Sequence, residues 1–399
     1  MTPTRGSALE VAKAFLALGV TSFGGPIAHL GFFRTEFVQR RRWLDDRAYA
    51  DLVALCQFLP GPASSQVGFA IGLLRAGPLG AIAAFLAFTL PSAVLMVAFA
   101  FGAALFGGPI GAGILTGLKI VAVAIVAQAV WGMARALTPD RVRAAIAVGA
   151  AAIALLAAGA SGQLVAIPLG AVVGLLLCRP AALPPGAALR VPVSRAVGLA
   201  SLAAFAAFLV ALPILAAATR SPGVAIADAF FRAGALVFGG GHVVLPLLEA
   251  EVVRTGWVDP ADFLAGYGAA QAMPGPLFTF AGFLGATADN GAGGIGGAAI
   301  ALLAIFLPGF LLLIGALPFW NHLRASATGQ GLMNGANAAV VGILAAALYD
   351  PVFTSAIIGA GAFAVALACF VLLVVWKLPP WSVVIVGAAG GVILELAGL

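Results

Sequence analysis

The sequence has few charged residues and almost no cysteine. Only 9% of its 399 residues are Asp, Glu, Lys or Arg, whereas 63% are hydrophobic. A water-soluble domain of this length needs far more charge on its surface, so this composition excludes one and indicates that a lipid bilayer surrounds the chain. The net charge of +6 does not imply a nucleic-acid partner, because no polar stretch is long enough to form a domain that binds one.

The sequence also lacks the short motifs of common catalytic and metal sites. It contains no HExxH zinc motif, no GxSxG nucleophile motif and no Walker A motif. Its three cysteines, Cys56, Cys178 and Cys369, have neither metal-site spacing nor the pairing of a disulfide framework. We therefore expect no cofactor, no bound metal, no enzymatic activity and no ATP-driven transport by this chain alone.

Apolar runs fill most of the chain. Thirteen segments are long enough to cross or enter a bilayer, at 8–30, 50–74, 78–106, 109–136, 141–159, 162–178, 196–218, 224–248, 264–287, 294–320, 333–350, 353–375 and 380–398. All six tryptophans fall at segment ends, where an amphipathic ring prefers the headgroup region. The pattern predicts an all-α polytopic membrane protein.

Motifs recur in the two halves at a nearly constant offset of 214 or 215 residues. Phe23-Gly24-Gly25-Pro26 matches Phe238-Gly239-Gly240-Gly241, Trp43-Leu44-Asp45 matches Trp257-Val258-Asp259, and Gln57-Phe58-Leu59-Pro60-Gly61-Pro62 matches Gln271-Ala272-Met273-Pro274-Gly275-Pro276. Weaker echoes pair Leu90-Pro91 with Leu307-Pro308 and Gly117 with Gly335. We infer a duplication: an N-terminal transporter repeat (1–178), a linker (179–195), a connecting transmembrane helix (196–218) and a C-terminal transporter repeat (219–399).

The second repeat is predicted to be inverted in the membrane. Equivalent segments are separated by seven crossings, an odd number. The first 195 residues carry 15 of the 20 Lys and Arg but six of the 14 Asp and Glu, and the loop 34–47 has five arginines where its counterpart has only Arg254. Because positive residues concentrate on cytoplasmic loops, homologous loops of opposite bias belong on opposite faces.

Simple crossing of all thirteen segments conflicts with the charges, because it places the 34–47 loop opposite Arg75 and the 135–143 cluster. The conflict disappears if the first two segments of each repeat, which Gly and Pro interrupt, enter the membrane and return to the same side. This interpretation, which we favour, leaves nine full crossings and preserves the inversion.

The glycine motifs are candidate helix breaks. Gly allows positive φ and Pro removes a donor, which leaves backbone N–H groups free at a positive helix-dipole end that favours an anion. Paired breaks in inverted repeats are typical of secondary transporters. The alternative is that these glycines only allow close helix packing. The predicted substrate-binding residues here are Gly24, Gly25, Pro26, Gly239, Gly240 and Gly241.

The two Pro-Gly-Pro motifs are the most specific feature of the sequence. Pro-Gly-Pro cannot continue a helix, and the carbonyls it leaves need a partner or a water-lined cavity. Gln57 and Gln271 supply a donor and an acceptor at each break, and we add Pro60, Gly61, Pro62, Pro274, Gly275 and Pro276 to the predicted site. The alternative is a turn that merely ends the helix.

Isolated polar residues complete the predicted site. Lys119 lies inside an apolar segment, where an ammonium costs about 2.5–3.5 kcal/mol, so it either faces an anion or snorkels to the interface; Asn337 is its approximate counterpart. His29 and His242 either bind substrate, relay a proton or are satisfied polar groups. Arg34, Glu36 and Glu249 are candidates for an access path, although surface solvation is the simpler explanation.

These motifs resemble the chromate ion transporter family in its long, two-domain form, and the resemblance extends from about residue 8 to 398. It implies a multi-pass carrier of chromate in the prokaryotic cytoplasmic membrane, which exports the dianion and confers resistance, with sulfate as the physiological look-alike. One departure is Gly241-His242 where the first repeat has Pro26-Ile27. Paired short chains in this family are thought to insert in opposite orientations, which agrees with the inversion.

The predicted function is therefore secondary transport of a tetrahedral oxyanion, as a uniporter or coupled to protons as an antiporter. The alternatives are a carrier of sulfate or another small anion, an intramembrane enzyme, and a non-transporting membrane partner subunit. The oligomeric state is left open between a monomer and a homodimer.

Overall fold

The computed structural model describes residues 6–102, 108–157, 161–178, 193–238, 241–320 and 326–398, and over these residues it is helical without strands. The first repeat contains α1 (Ala8–Thr21), α2 (Gly25–Phe33), α3 (Asp46–Phe58), α4 (Ala63–Gly102), α5 (Gly108–Leu137), α6 (Arg141–Leu156) and α7 (Ser161–Leu177). Helix α8 (Arg195–Thr219) connects it to the second repeat. The all-α fold predicted from the sequence is confirmed.

The second repeat follows the same order of helices. It contains α9 (Pro222–Ala235), α10 (Val244–Leu248), α11 (Pro260–Ala272), α12 (Phe280–Thr287), α13 (Gly294–Ala316), α14 (Ala327–Ala347), α15 (Ala360–Val374) and α16 (Pro380–Ala397). Single turns of π-helix lie at Arg34–Arg40, Glu249–Val253 and Leu348–Phe353, turns of 3₁₀-helix at Gly241–Val243, Leu277–Thr279 and Leu317–Phe319, and one α-turn at Thr354–Ala356.

The first predicted segment, 8–30, is not one continuous helix. Helix α1 ends at Thr21 and α2 begins at Gly25, after which the chain doubles back along α1. The Phe15 ring of α1 lies 5.5 Å from the Phe33 ring and 4.8 Å from the Phe37 ring. These two helices therefore form a hairpin that enters and leaves at one end of the molecule.

The second predicted segment, 50–74, is broken in the same way. Helix α3 ends at Phe58 and α4 begins at Ala63, with Pro-Gly-Pro between them. Helix α4 is itself a helical hairpin, because it leaves helical geometry at Ala76 and Gly77, and Gly72 and Gly80 on either side of the turn are in direct backbone contact.

The arginine-rich loop and the turn of α4 lie at the same end of the molecule. The guanidinium groups of Arg41 and Arg75 lie 5.3 and 5.0 Å from the centre of the Trp43 ring, and Arg75 pairs with Glu10 of α1 at 3.2 Å. Simple crossing of every segment is therefore wrong, and the interpretation in which the broken segments return to one side is confirmed for the first repeat.

The corresponding loop of the second repeat lies at the other end of α4. Within the second repeat, the Asp289 N–H donates to the Trp257 carbonyl at 2.8 Å. Phe99, at the end of α4 far from Arg75, lies 5.7 Å from Phe283 in α12. The arrangement of the two loops is consistent with an inverted repeat.

Six helical segments are long and apolar enough to cross a membrane: Ala63–Gly102, Gly108–Leu137, Arg195–Thr219, Gly294–Phe319, Ala327–Ala356 and Pro380–Ala397. Fewer segments meet this criterion than the thirteen drawn from the sequence, because the broken segments give helices too short to span. Three further helices, α6, α7 and α15, pack alongside the spanning ones. Together with the six segments, in which α4 counts once, they give nine candidate crossings among the described residues.

The helices form two bodies, each assembled from both repeats. We call α1–α4 with α9–α13 the carrier body and α5–α7 with α14–α16 the frame body. The frame body is joined by close helix contacts, where Gly117 of α5 meets Gly387 of α16 and Gly335 of α14 meets Gly170 of α7. These two contacts are equivalent by the repeat, as a two-fold relation between the halves requires.

The inversion can be tested by labelling single cysteines in a variant whose three native cysteines are replaced by alanine. Arg42 and Thr255 are exposed residues in corresponding loops. Because arginine-rich loops remain in the cytoplasm, we expect a membrane-impermeant maleimide to label Thr255→Cys in intact cells and Arg42→Cys only in inverted vesicles. Labelling of both positions from one side would contradict the inversion.

Candidate functional site

Three interruptions of helical geometry meet inside the carrier body. Gly24 and Gly25 have φ values of 102° and 76°, and the central glycines of the two Pro-Gly-Pro motifs, Gly61 and Gly275, have 121° and 93°. Such positive φ values favour glycine because other residues would place Cβ against the backbone. The sequence therefore specifies these three breaks locally.

Each Pro-Gly-Pro motif is bonded to the break in the other repeat. The Gly61 N–H donates to the carbonyl of Val237 at 2.7 Å, and the Gly275 N–H donates to the carbonyl of Ser22 at 2.9 Å. Ser22 and Val237 are equivalent residues, each immediately before the phenylalanine of its glycine motif. The two bonds are therefore reciprocal and join the repeats at their centre.

The two glycine motifs face one another across this junction. A Cβ added to Gly241 would lie 3.0 Å from Cγ of Pro26. Helix α2 begins here with Gly24 as its N-cap and no side chain capping it, so its first backbone N–H groups lack intrahelical partners. Gly239 and Gly240 lie outside the described residues.

Buried polar side chains surround the break in the first repeat. His29 is fully buried, with Nε2 3.2 Å from the Ser22 carbonyl and Nδ1 3.4 Å from Ser64 Oγ. Gln66, also fully buried, donates from Nε2 to the carbonyls of Pro60 at 3.0 Å and Gly309 at 2.9 Å. Gln66 therefore ties the first Pro-Gly-Pro motif to α13 of the second repeat.

Several buried polar atoms near the breaks and along α14 have no hydrogen-bond partner within the described part of the chain. They are Ser22 Oγ, Ser65 Oγ, Gln66 Oε1, Thr89 Oγ1, Gln271 Nε2 and Asn337 Oδ1. Buried polar groups are normally paired. The three hydroxyls and the Gln271 amide N–H can donate to an oxyanion, whereas the Gln66 and Asn337 amide oxygens can only accept. Only Gln271 and Asn337 were predicted. The run Ser64-Ser65-Gln66, which follows Pro-Gly-Pro after Ala63, is the signal that would have identified Ser65 and Gln66.

The second repeat presents a different set of side chains at its break. His242 Nδ1 lies 2.9 Å from the hydroxyl of the buried Tyr267, and Thr279 shares a hydrogen bond of 2.5 Å with Ser92 of the first repeat. His29 and His242 are thus held by different partners and are not equivalent, as their spacing in the sequence indicated.

The two predicted glutamines have different environments. Gln271 is buried, whereas Gln57 is exposed. The structure therefore does not bring Gln57 and Gln271 into equivalent positions, although the motif predicted it. The physical reason is that α11 is covered by α5 and α16, whereas α3 has no comparable cover among the described helices.

Lys119 lies where α5 crosses α16 and α11. Its neighbours in α5 are in close contact, Gly117 with Gly387 and Leu118 with Gly268, and Gly387 is near the middle of α16. Its ammonium interacts electrostatically with the carboxylate of Asp262. Lys119 is thus central along the helix axis, and a role in binding substrate stays a prediction.

The three residues predicted for an access path separate into two groups. Arg34 pairs with Asp46 at 2.7 Å on an exposed surface, and Glu36 is held by Arg40 and Arg41. Glu249 is buried, paired with Arg254 at 3.3 Å. It lines a cavity of about 250 Å³ with Gln163, Pro246 and Asp350. Of the three residues, Glu249 is therefore the one that lines this pocket.

No group of three or more His, Cys, Asp or Glu side chains within the described ranges could hold a metal ion. The site consists instead of backbone N–H groups, hydroxyls and amides at the meeting point of broken helices from two repeats. Together with the apolar helices, this arrangement defines a multi-pass membrane transporter.

The chain belongs to the chromate transporter family, since the model of that family, described as "Chromate transporter", matches residues 9–175 and 224–392. It is 31% identical over 394 residues to the chromate transport protein of Pseudomonas aeruginosa, covering 96% of this chain and 90% of that protein. It is 29% identical over 344 residues to the probable chromate transport protein of Synechococcus elongatus, covering 85% and 83%. No solved structure matches it significantly.

The contacts at the junction predict that alanine substitution at two glycines of positive φ lowers stability by different amounts. In Gly275→Ala the new Cβ would lie 3.0 Å from Ser92 Cβ and 3.3 Å from the Phe88 carbonyl oxygen, whereas Gly256 has open space. Both variants carry the backbone strain, but only Gly275→Ala also separates the repeats. We expect Gly275→Ala to be less stable than Gly256→Ala by about 1–3 kcal/mol, measured by thermal unfolding in detergent. Equal stabilities would argue against the junction.

Proposed function

We propose that this protein is a secondary transporter that exports chromate, a sulfate-like oxyanion, across the prokaryotic cytoplasmic membrane and thereby confers resistance to chromate. Its family and the names of its relatives support chromate as the substrate. The oxyanion would bind at the junction of the broken helices, and transport would require neither a cofactor nor ATP.

The observation that carries the proposal is the uncapped start of α2 among buried donors. A helix N-terminus without a capping side chain favours an anion through free N–H groups and the helix dipole. Ser22, Ser65 and Thr89 add buried hydroxyls whose oxygens have no hydrogen-bond partner among the described residues. A tetrahedral dianion can accept hydrogen bonds from several such donors at once, as these groups require.

Lys119 would supply the positive charge. Its position where α5 meets α11 and α16 leaves it partly buried in an apolar helix, and the cost of a cation there is offset if it faces an anion. Export of a dianion from a cell that is negative inside releases about 2.3 kcal/mol per charge per 100 mV. Membrane potential is therefore a sufficient driving force, with or without exchange for a proton.

Replacement of Lys119 by Gln tests this role. A hydrogen bond to a charged group contributes about 1.5–3 kcal/mol, so we expect chromate transport by Lys119→Gln to fall about ten-fold or more, with unchanged membrane insertion. Lys377→Gln, at an exposed lysine, is the matched control and should transport normally. Undiminished transport by Lys119→Gln would exclude the role.

The function itself is tested with radiolabelled chromate and inverted membrane vesicles that contain the protein. We expect accumulation that follows an imposed potential, positive inside the vesicle, and that sulfate reduces by competition. Accumulation of sulfate but not chromate would favour the alternative of a sulfate carrier. No transport of either anion, in verified protein, would favour a carrier of another small anion or a partner subunit.

A further inference from the structure

Each of the two bodies is internally symmetric, but the interface between them is not. In the carrier body the reciprocal bonds from Gly61 and Gly275 are equivalent. In the frame body the contacts made by Gly117 and Gly335 are equivalent. If the two-fold relation holds within each body but not between the bodies, the protein has two alternative arrangements of those bodies, related to each other by the two-fold axis, and the structure holds one of them.

The asymmetry is clearest for α3 and α11, the helices that precede the Pro-Gly-Pro motifs. Helix α11 is covered by α5 and α16, and its Leu264, Gly268 and Gln271 are buried. Their counterparts Ala50, Ala54 and Gln57 form one exposed face of α3. By symmetry, α14 and α7 would cover that face, but they do not pack along it in the described structure.

The contacts that α3 does make are shifted along the frame body. In the second repeat, Gly268 touches Leu118 in the middle of α5, and the equivalent pair in the first repeat would be Ala54 with Ala336. Instead, Phe58 lies near Gly329 in the first turn of α14. Ala336 and Gly329 are seven residues apart in α14, and Ala54 and Phe58 are four residues apart in α3. The displacement therefore corresponds to about eleven helical residues, or on the order of 16 Å at a rise of about 1.5 Å per residue.

A second, independent contact shows a displacement in the same direction. Gln163 at the start of α7 donates to the Pro246 carbonyl at 2.8 Å, and the equivalent pair would be Pro380 with Gly31. Gly31 has no neighbour within reach of an added Cβ. The start of α16 is occupied instead by Phe23, whose ring lies 6.3 Å from that of Trp381. Within α2, Gly31 is six residues from the first helical residue, Gly25, so this shift is on the order of 9 Å along the helix.

We propose that this protein is an elevator-type carrier, in which the carrier body slides along the frame body by on the order of 9–16 Å. The structure holds the carrier body displaced towards the arginine-rich end, with α3 uncovered and α11 covered. In the opposite state α3 packs against α14 and α7 while α11 is released. This proposal rests on the proposed function only in that a carrier must expose its site alternately to both sides.

Sliding also accounts for the small residues on the uncovered face. Ala50 and Ala54 allow two helices to approach closely, which an exposed lipid-facing surface does not need. Along α14, which would cover that face, Gln330, Asn334 and Asn337 recur at helical spacing and give the passing anion hydrogen-bond donors. Both features serve an interface that forms and separates during transport.

Cysteine crosslinking in a variant without native cysteines tests the proposal. Phe58→Cys with Gly329→Cys reports the present state, and Ala54→Cys with Ala336→Cys reports the opposite one. A short bifunctional thiol reagent is applied in vesicles, and crosslinked peptides are identified by mass spectrometry. We expect both pairs to crosslink, an imposed potential to change their yields in opposite directions, and transport to be lost on crosslinking and restored by reductive cleavage.

A second cysteine pair keeps the test decisive if the Ala54 and Ala336 variant fails to insert into the membrane. Gly31→Cys with Trp381→Cys should behave as the Ala54 and Ala336 pair does, because it reports the same state from the other contact. Crosslinking of only the Phe58 and Gly329 pair under every condition would overturn sliding, as would simultaneous crosslinking of both states in one molecule. The crosslinks need no chromate, so their outcome is separate from whether chromate is the substrate.

Discussion

The reciprocal backbone hydrogen bonds at the two Pro-Gly-Pro motifs are the interaction on which the remaining architecture depends. A broken helix inside a bilayer leaves backbone groups that lipid cannot satisfy, and each unsatisfied group costs several kcal/mol. Gly61 and Gly275 give their N–H groups to the carbonyls of Val237 and Ser22. Each repeat thus completes the break of the other, and neither repeat provides a satisfied site by itself.

Duplication has kept the backbone of the junction symmetric while its side chains have diverged. The run Ser64-Ser65-Gln66 corresponds to Phe278-Thr279-Phe280 in the second repeat. The first set brings hydroxyls and an amide to the break, whereas the second brings two fully or almost fully buried aromatic rings. The first repeat therefore supplies most of the polar groups and the second supplies apolar packing, so an anion would meet one polar wall and one rigid apolar wall.

Close packing through glycine gives the frame body the stiffness that a sliding partner requires. At the crossings of α5 with α16 and of α14 with α7, backbone touches backbone without side chains between, as membrane helices do where small residues allow it. The carrier body is held differently, by stacked rings such as Phe69 with Phe310 at 4.4 Å and by hydrogen bonds between repeats. Both bodies are built from both repeats, so the linker between the repeats is not the boundary between the moving parts.

The sequence by itself determined that lipid surrounds the chain, that the chain contains a duplication, and where the helices are broken. Composition decides burial in lipid, a constant offset reveals a duplication, and Gly and Pro act on the local backbone, so Gly24, Gly61 and Gly275 could be identified without a fold. The distribution of arginines also favoured the interpretation in which the first two segments return to one side.

Only the tertiary structure decided which polar groups meet and which stay apart. Gln57 and Gln271 occupy the same position in the repeated motif, yet Gln57 is exposed and Gln271 is buried. Their burial depends on how the carrier body is placed against the frame body and not on the local motif. Gln66 was missed because its partners, Pro60 and Gly309, come from both repeats. The reciprocal bonds likewise join residues more than 170 positions apart, a separation over which local sequence carries no information about contact.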